Sequence, residues 1–213
     1  MMSRHDSAMT SANSSLSKSD RHRRRMQQKK TVVDASIERA DKDQGLLLLL
    51  TGNGKGKSSS AFGMAARALG HGMRVGVVQF IKGCNDTGEE VFFRDHKNMS
   101  WHVTGEGFTW ETQNRERDIE MAERGWQLAR DMLADESYGL VILDELTYLL
   151  NYGYLDTDKV LADIQARPAM QHVVVTGRAA SEVLREVADT VSEIQDIKHA
   201  FRAGIRAQEG VDL

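Results

Sequence analysis

From Gly45 onward, short aliphatic runs alternate with longer amphipathic stretches. Leu46–Leu50, Arg74–Phe80, Trp101–Val103, Leu140–Leu143, His172–Thr176 and Thr190–Ile194 read as strands. Most are apolar on both faces, the pattern of a buried parallel sheet. Lys57–Leu69, Arg115–Ala134, Thr157–Ala166 and Ser181–Ala188 read as the helices between them. Strand and helix in alternation predict an α/β fold, a mostly parallel sheet with helices on both faces. The sole proline, Pro168, falls between a helix and a strand, where it is tolerated.

The first 44 residues have a different pattern. Residues 1–20 are Ser-rich and polar and predict a disordered tail. Residues 21–44 open on Arg21-His22-Arg23-Arg24-Arg25 and continue through Lys29-Lys30, with Val33, Ile37 and Ala40 at helical spacing. They predict a basic, weakly amphipathic helical arm ahead of a main domain over residues 45–213.

Composition adds limits. Of the 213 residues, 40% are hydrophobic, enough for one sizeable core plus appendages. A net charge of −3 gives no global basic field, which argues against a protein devoted to nucleic acid. No apolar signal segment is visible at the start, and Leu46–Leu50 is too short to span a bilayer. The lone Cys84 has no internal disulfide partner, which fits a reducing compartment. These features predict a cytoplasmic protein.

The candidate chemistry begins at Thr51-Gly52-Asn53-Gly54-Lys55-Gly56-Lys57-Ser58, which follows an aliphatic strand and opens a helix. That is the setting of a phosphate-binding loop and of a RecA-like P-loop NTPase fold. Glycines at 52, 54 and 56 allow positive φ and bring backbone N–H groups close to an anion. Lys57 is placed to meet phosphate oxygens, and the Ser58 hydroxyl to ligate Mg²⁺. Thr51 stands where the usual pattern has its first glycine.

A second strand, Leu140–Leu143, runs into Asp144-Glu145. Acids at the carboxyl end of a neighbouring strand face the phosphates in such folds, and hold Mg²⁺ directly or through water. Read alone, these residues describe a Mg²⁺–nucleotide site with no stated acceptor. A RecA-like ATPase and a small-molecule kinase share it, but no water-activating or sensor residue can be identified for the former.

Gly107-Phe108-Thr109-Trp110-Glu111-Thr112-Gln113-Asn114-Arg115 changes that reading. It resembles the signature of the P-loop cob(I)alamin adenosyltransferases of cobalamin synthesis and salvage. The likeness runs from about Arg21 to Leu213. It takes in the phosphate loop, Val78-Gln79-Phe80-Ile81-Lys82-Gly83, Leu143-Asp144-Glu145-Leu146-Thr147-Tyr148, Val174-Val175-Thr176-Gly177-Arg178, Lys198-His199-Ala200-Phe201 and Ala203-Gly204. This family usually carries Thr where this chain has Ser58, and residues 83–100, with Cys84, match none of these motifs.

The resemblance implies transfer of the 5′-deoxyadenosyl group of ATP to Co(I) of a reduced corrinoid, with release of triphosphate. It implies an ATP site of Gly52, Asn53, Gly54, Lys55, Gly56, Lys57, Ser58, Ser59 and Arg178. It implies a Mg²⁺ site of Ser58, Glu145 and Asp144, and places Phe108 and Trp110 against the lower face of the corrinoid. It further implies a homodimer, an electron donor such as a reduced flavoprotein, and an arm that folds over bound corrinoid.

Overall fold

The computed structural model describes residues 17–81, 87–105 and 115–212. The chain divides into two units, one ending at Asp43 and the other beginning at Gln44. In the first unit, helix α1 spans Lys18–Arg39. It starts upstream of the basic run because Ser17 caps it. The Ser17 hydroxyl oxygen accepts from the Asp20 amide at 3.1 Å and donates to the Asp20 carboxylate at 2.6 Å. No residue of α1 is buried, and Met26, Val33 and Ile37 are exposed.

The second unit runs β1 (Leu47–Thr51), α2 (Lys57–Gly70), β2 (Arg74–Gln79), α3 (Gly88–Phe93), β3 (Met99–Val103), α4 (Arg115–Ala134), β4 (Tyr138–Asp144), α5 (Leu146–Asn151), α6 (Thr157–Gln165), β5 (His172–Thr176), α7 (Glu182–Val187) and β6 (Thr190–Glu193). A 3₁₀ turn follows at Ala200–Ala203. The six strands form one parallel sheet in the order β3-β2-β4-β5-β1-β6. The aliphatic runs therefore are the strands, as their two-sided apolarity requires.

Side chains alternate across the sheet and split the core in two. Leu47, Leu49, Val141, Leu143, Val173 and Val175 point to one face, against Trp126, Ala129 and Leu133 of α4, Leu146 and Leu149 of α5, and Leu161 and Ile164 of α6. Leu50, Val75, Val77, Leu140, Ile142 and Val174 point to the other, against Ala61, Phe62, Ala65 and Ala68 of α2. Ile142 is fully buried, so its truncation to Ala would cost about 2–5 kcal/mol.

Two short helices were not expected. In α3, Thr87 accepts from the Glu90 amide at 3.3 Å, a cap signalled by Thr-x-x-Glu. α5 follows directly on Glu145, whose left-handed backbone (φ 62°) turns the chain sharply off β4. Among the described residues, no helix is long and apolar enough to cross a membrane.

Candidate active site

Four strands of the apolar sheet close on a polar residue: Thr51 on β1, Gln79 on β2, Asp144 on β4 and Thr176 on β5. All four are essentially inaccessible to water. Buried polar groups must find partners, and Gln79, Asp144 and Thr176 find one another. The Thr176 hydroxyl donates to Asp144 Oδ1 at 2.7 Å, and the Gln79 amide nitrogen donates to Asp144 Oδ2 at 3.0 Å. The Trp101 indole N–H donates to Gln79 Oε1 at 3.1 Å. The Thr176 oxygen in turn accepts from the Glu145 amide at 2.9 Å.

The phosphate loop leaves β1 and enters α2 at the same edge of the sheet. Gly52 and Gly56 have positive φ, at 99° and 116°. Gly54 does not, and close approach explains it instead. A Cβ there would lie 2.6 Å from the Gln195 carbonyl oxygen and 2.7 Å from that of Ile194. The Gly54 amide donates to the Ile194 carbonyl at 2.7 Å, and the Ile194 amide to that of Thr51 at 2.8 Å. Thr51, in place of the usual glycine, is the last residue of β1, and its hydroxyl oxygen accepts from the Ala180 amide at 3.3 Å.

Lys57, at the start of α2, is buried, and its Nζ donates to the Gly54 carbonyl at 2.8 Å. Burial pulls its pKa below the usual lysine value; Glu145 and Asp144 oppose that shift, and Arg178 reinforces it. Lys57, the two acids and Arg178 therefore share one electrostatic neighbourhood. Arg178 itself is exposed, while its backbone is tied to α5: its carbonyl accepts from the Thr147 hydroxyl at 2.7 Å and from the Asn151 amide at 3.3 Å. Tyr148 belongs to the same group, its phenol pKa raised first by desolvation and then by Tyr152 and Glu145.

The remaining expected residues fall as follows. Ser58 is half-buried, and Asn53 and Ser59 are exposed. Lys55 is paired with Asp212 at 2.7 Å. Phe108 and Trp110 lie outside the described residues, as does Cys84. Immediately after the Phe108–Trp110 segment, Arg115 donates to the carbonyls of Tyr152 and Gly153, both at 3.2 Å, and its guanidinium lies 5.3 Å from the centre of the Tyr154 ring. Tyr148, Tyr152 and Tyr154 form a ladder with ring centres 5.0 and 5.7 Å apart. Gln79, Thr176 and Thr51 were missed as site residues. The signal for them was a polar residue closing each aliphatic run: LLLLT, VGVVQ, LVILD, VVVT.

Comparison with known proteins agrees over nearly the whole chain. Residues 43–213 match the family described as ATP:corrinoid adenosyltransferase BtuR/CobO/CobP. Residues 14–37 match a second family, described as cob(I)alamin adenosyltransferase N terminal. A corrinoid adenosyltransferase of Pseudomonas aeruginosa is 63% identical over 202 residues, covering 94% of this chain and all of that protein. One from Escherichia coli K12 is 47% identical over 193 residues, covering 91% of this chain and 98% of its own. The corrinoid adenosyltransferase CobA of Salmonella typhimurium is 47% identical over the same shares.

Proposed function

Because this chain belongs to the ATP:corrinoid adenosyltransferase family, we propose that it transfers the 5′-deoxyadenosyl group of ATP to Co(I) of a reduced corrinoid, with the residues gathered around Lys57 as its nucleotide site. The observation that carries the site assignment is the convergence of Lys57, Asp144, Glu145 and Arg178 beside a glycine loop at the carboxyl edge of a parallel sheet.

The chemistry balances without a general base. Co(I) is a nucleophile that carries no proton. Its electron pair forms the Co–C bond at the ribose C5′, and the C5′–O bond breaks with its pair going to the triphosphate. Negative charge grows on the oxygen that bridged C5′ to the α-phosphate. The N–H groups of residues 52–58 and the Lys57 ammonium stabilise that charge, in a cradle whose shape Ile194 and Gly54 hold. The reaction serves the formation or salvage of adenosylcobalamin.

Mg²⁺ fits the donors present. It is usually held by one or two protein oxygens, with water and substrate phosphates completing its shell. Ser58 and Glu145 offer hard oxygen donors of that kind, while Asp144, next to Glu145 in the chain, has both carboxylate oxygens hydrogen-bonded within the protein and would act on the ion through its charge. No group of three His, Cys, Asp or Glu suited to a metal occurs among the described residues. Bound there, the ion would neutralise charge on the triphosphate.

Phe108 and Trp110 supply apolar surface with no ligand atom, and in this reading they cover the lower face of the corrinoid and leave cobalt four-coordinate. Removal of an axial donor destabilises Co(II) relative to Co(I), so reduction becomes feasible. The protein works as a homodimer in the cytoplasm, receives its electron from a donor such as a reduced flavoprotein, and folds its basic arm over the bound corrinoid.

The deciding experiment identifies the phosphate product after incubation with ATP, Mg²⁺ and reduced cobalamin. Intact triphosphate together with a Co–C bonded product is expected. Orthophosphate or pyrophosphate as the first product would instead indicate an ATPase or kinase.

A further inference from the structure

The line of hydrogen bonds that joins Trp101, Gln79, Asp144 and Thr176 runs across β3, β2, β4 and β5. The registers bring these residues together: Gln79 pairs with Asp144 across β2 and β4, and Leu143 pairs with Val175 one step before Asp144 and Thr176. Each member has its direction fixed by the next. An indole N–H only donates, so Gln79 must turn its oxygen toward Trp101 and its NH₂ toward Asp144. The Thr176 hydroxyl has one proton, given to Asp144, and its oxygen then takes the Glu145 amide.

Two results follow. Both oxygens of the fully buried Asp144 are engaged inside the protein. The Glu145 backbone is pinned in the left-handed region (φ 62°, ψ 23°), which a non-glycine residue keeps only where its surroundings hold it. We propose that Thr176 and Gln79 are positioning residues of the nucleotide site: through Asp144 and the Glu145 amide they aim the Glu145 carboxylate, and so set how strongly divalent metal assists ATP binding. Asp144 is then the anchor of this line and Glu145 the group that meets the ion. This inference rests on the reading of Glu145 as a Mg²⁺ ligand.

Such outer partners of a metal ligand typically govern metal affinity by 10–100-fold. The test uses the full-length chain without corrinoid. ATP affinity is measured by calorimetry with Mg²⁺ and again with EDTA, and the ratio of the two is the metal-linked gain. Thr176→Val keeps the branched shape and loses the hydroxyl. It should cut the gain about tenfold, leave ATP affinity in EDTA unchanged, and be rescued by Thr176→Ser. Gln79→Met acts one bond further away and should lower the gain in the same direction by a smaller factor. It also decides the matter if Thr176→Val does not fold. Glu145→Gln is the control: a normal gain in that variant overturns the metal reading of Glu145 itself. A lost gain in Glu145→Gln with a normal gain in Thr176→Val and Gln79→Met overturns the positioning role. Equal losses with and without metal would also overturn it, because they would mean general damage to the loop.

Discussion

The Nζ of Lys57 donates to the carbonyl of Gly54, three residues back and 2.8 Å away. The lysine thus braces the loop that it also charges. Although it stands at a loop–helix junction, Lys57 is only 6% exposed.

Lys57→Ala should therefore abolish adenosylation and also lose a buried, charge-assisted hydrogen bond, about 1.5–3 kcal/mol. For a domain of this size that is a fall of several degrees in melting temperature, roughly 2–4 °C per kcal/mol. Circular dichroism should still show a native fold. Normal turnover in a folded Lys57→Ala protein would remove Lys57 from the site.

Ser58→Ala should raise the Mg²⁺ concentration needed for half-maximal rate while the saturated rate falls less. Glu145→Ala should do so more strongly. A Mg²⁺ titration of each variant checks this, and an unshifted curve for Glu145→Ala would leave that acid as no more than the residue that starts α5.

Phe108→Ala and Trp110→Ala should lose most activity when a protein reductant must convert Co(II) to Co(I) at the site. With Co(I) made chemically beforehand the loss should be much smaller, and ATP affinity should be nearly normal. The parent protein with ATP should give a four-coordinate Co(II) signal, and that signal should fade in both variants. Equal losses under both regimes with that signal intact would limit the rings to packing or positioning. Melting curves come first, because an aromatic-to-Ala change costs about 3–5 kcal/mol wherever the ring is packed in a core.

Helix α1 has no buried residue and carries its basic cluster and apolar positions in the open. An amphipathic helix of this kind has little stability of its own. Limited proteolysis should cut residues 21–44 readily in the free protein and slowly once ATP and cobalamin are added. Cleavage at the same rate in both conditions would count against an arm that closes over the corrinoid.

His102, half-buried on β3, has its imidazole pKa lowered by desolvation from the usual 6.5. Between that lowered value and 6.5 the unfolded chain binds a proton that the folded one refuses. Stability should therefore decline as pH falls through 6.5 and stop declining from this cause below the folded-state value. Melting temperatures from pH 8 to pH 5 should show a shallower slope for His102→Gln than for the parent.

The sheet and the glycine loop between β1 and α2 were legible because their signals are local: an aliphatic run, then glycines, then a helix. What escaped the sequence depends on distant pairing. The need for glycine at 54 comes from Ile194 and Gln195, on the far side of the chain. α5 is only six residues long, and its start is set by a backbone turn that Thr176 holds from another strand. Gln79 and Thr176 looked like ordinary strand ends until the registers set them on either side of Asp144.

β1 is the first strand of the sheet to be synthesised, yet its neighbours are β5 and β6, the last two. At about 5–20 residues per second, those partners leave the ribosome on the order of ten seconds after it does. During that interval five successive leucines, Leu46–Leu50, have no edge to join. β2 waits less, since the next two strands made, β3 and β4, flank it on either side. The glycine loop after β1, whose Gly54 amide bonds to Ile194, is thus among the last parts of the sheet edge to form, and the leucine run is where misassembly of the newborn chain would begin.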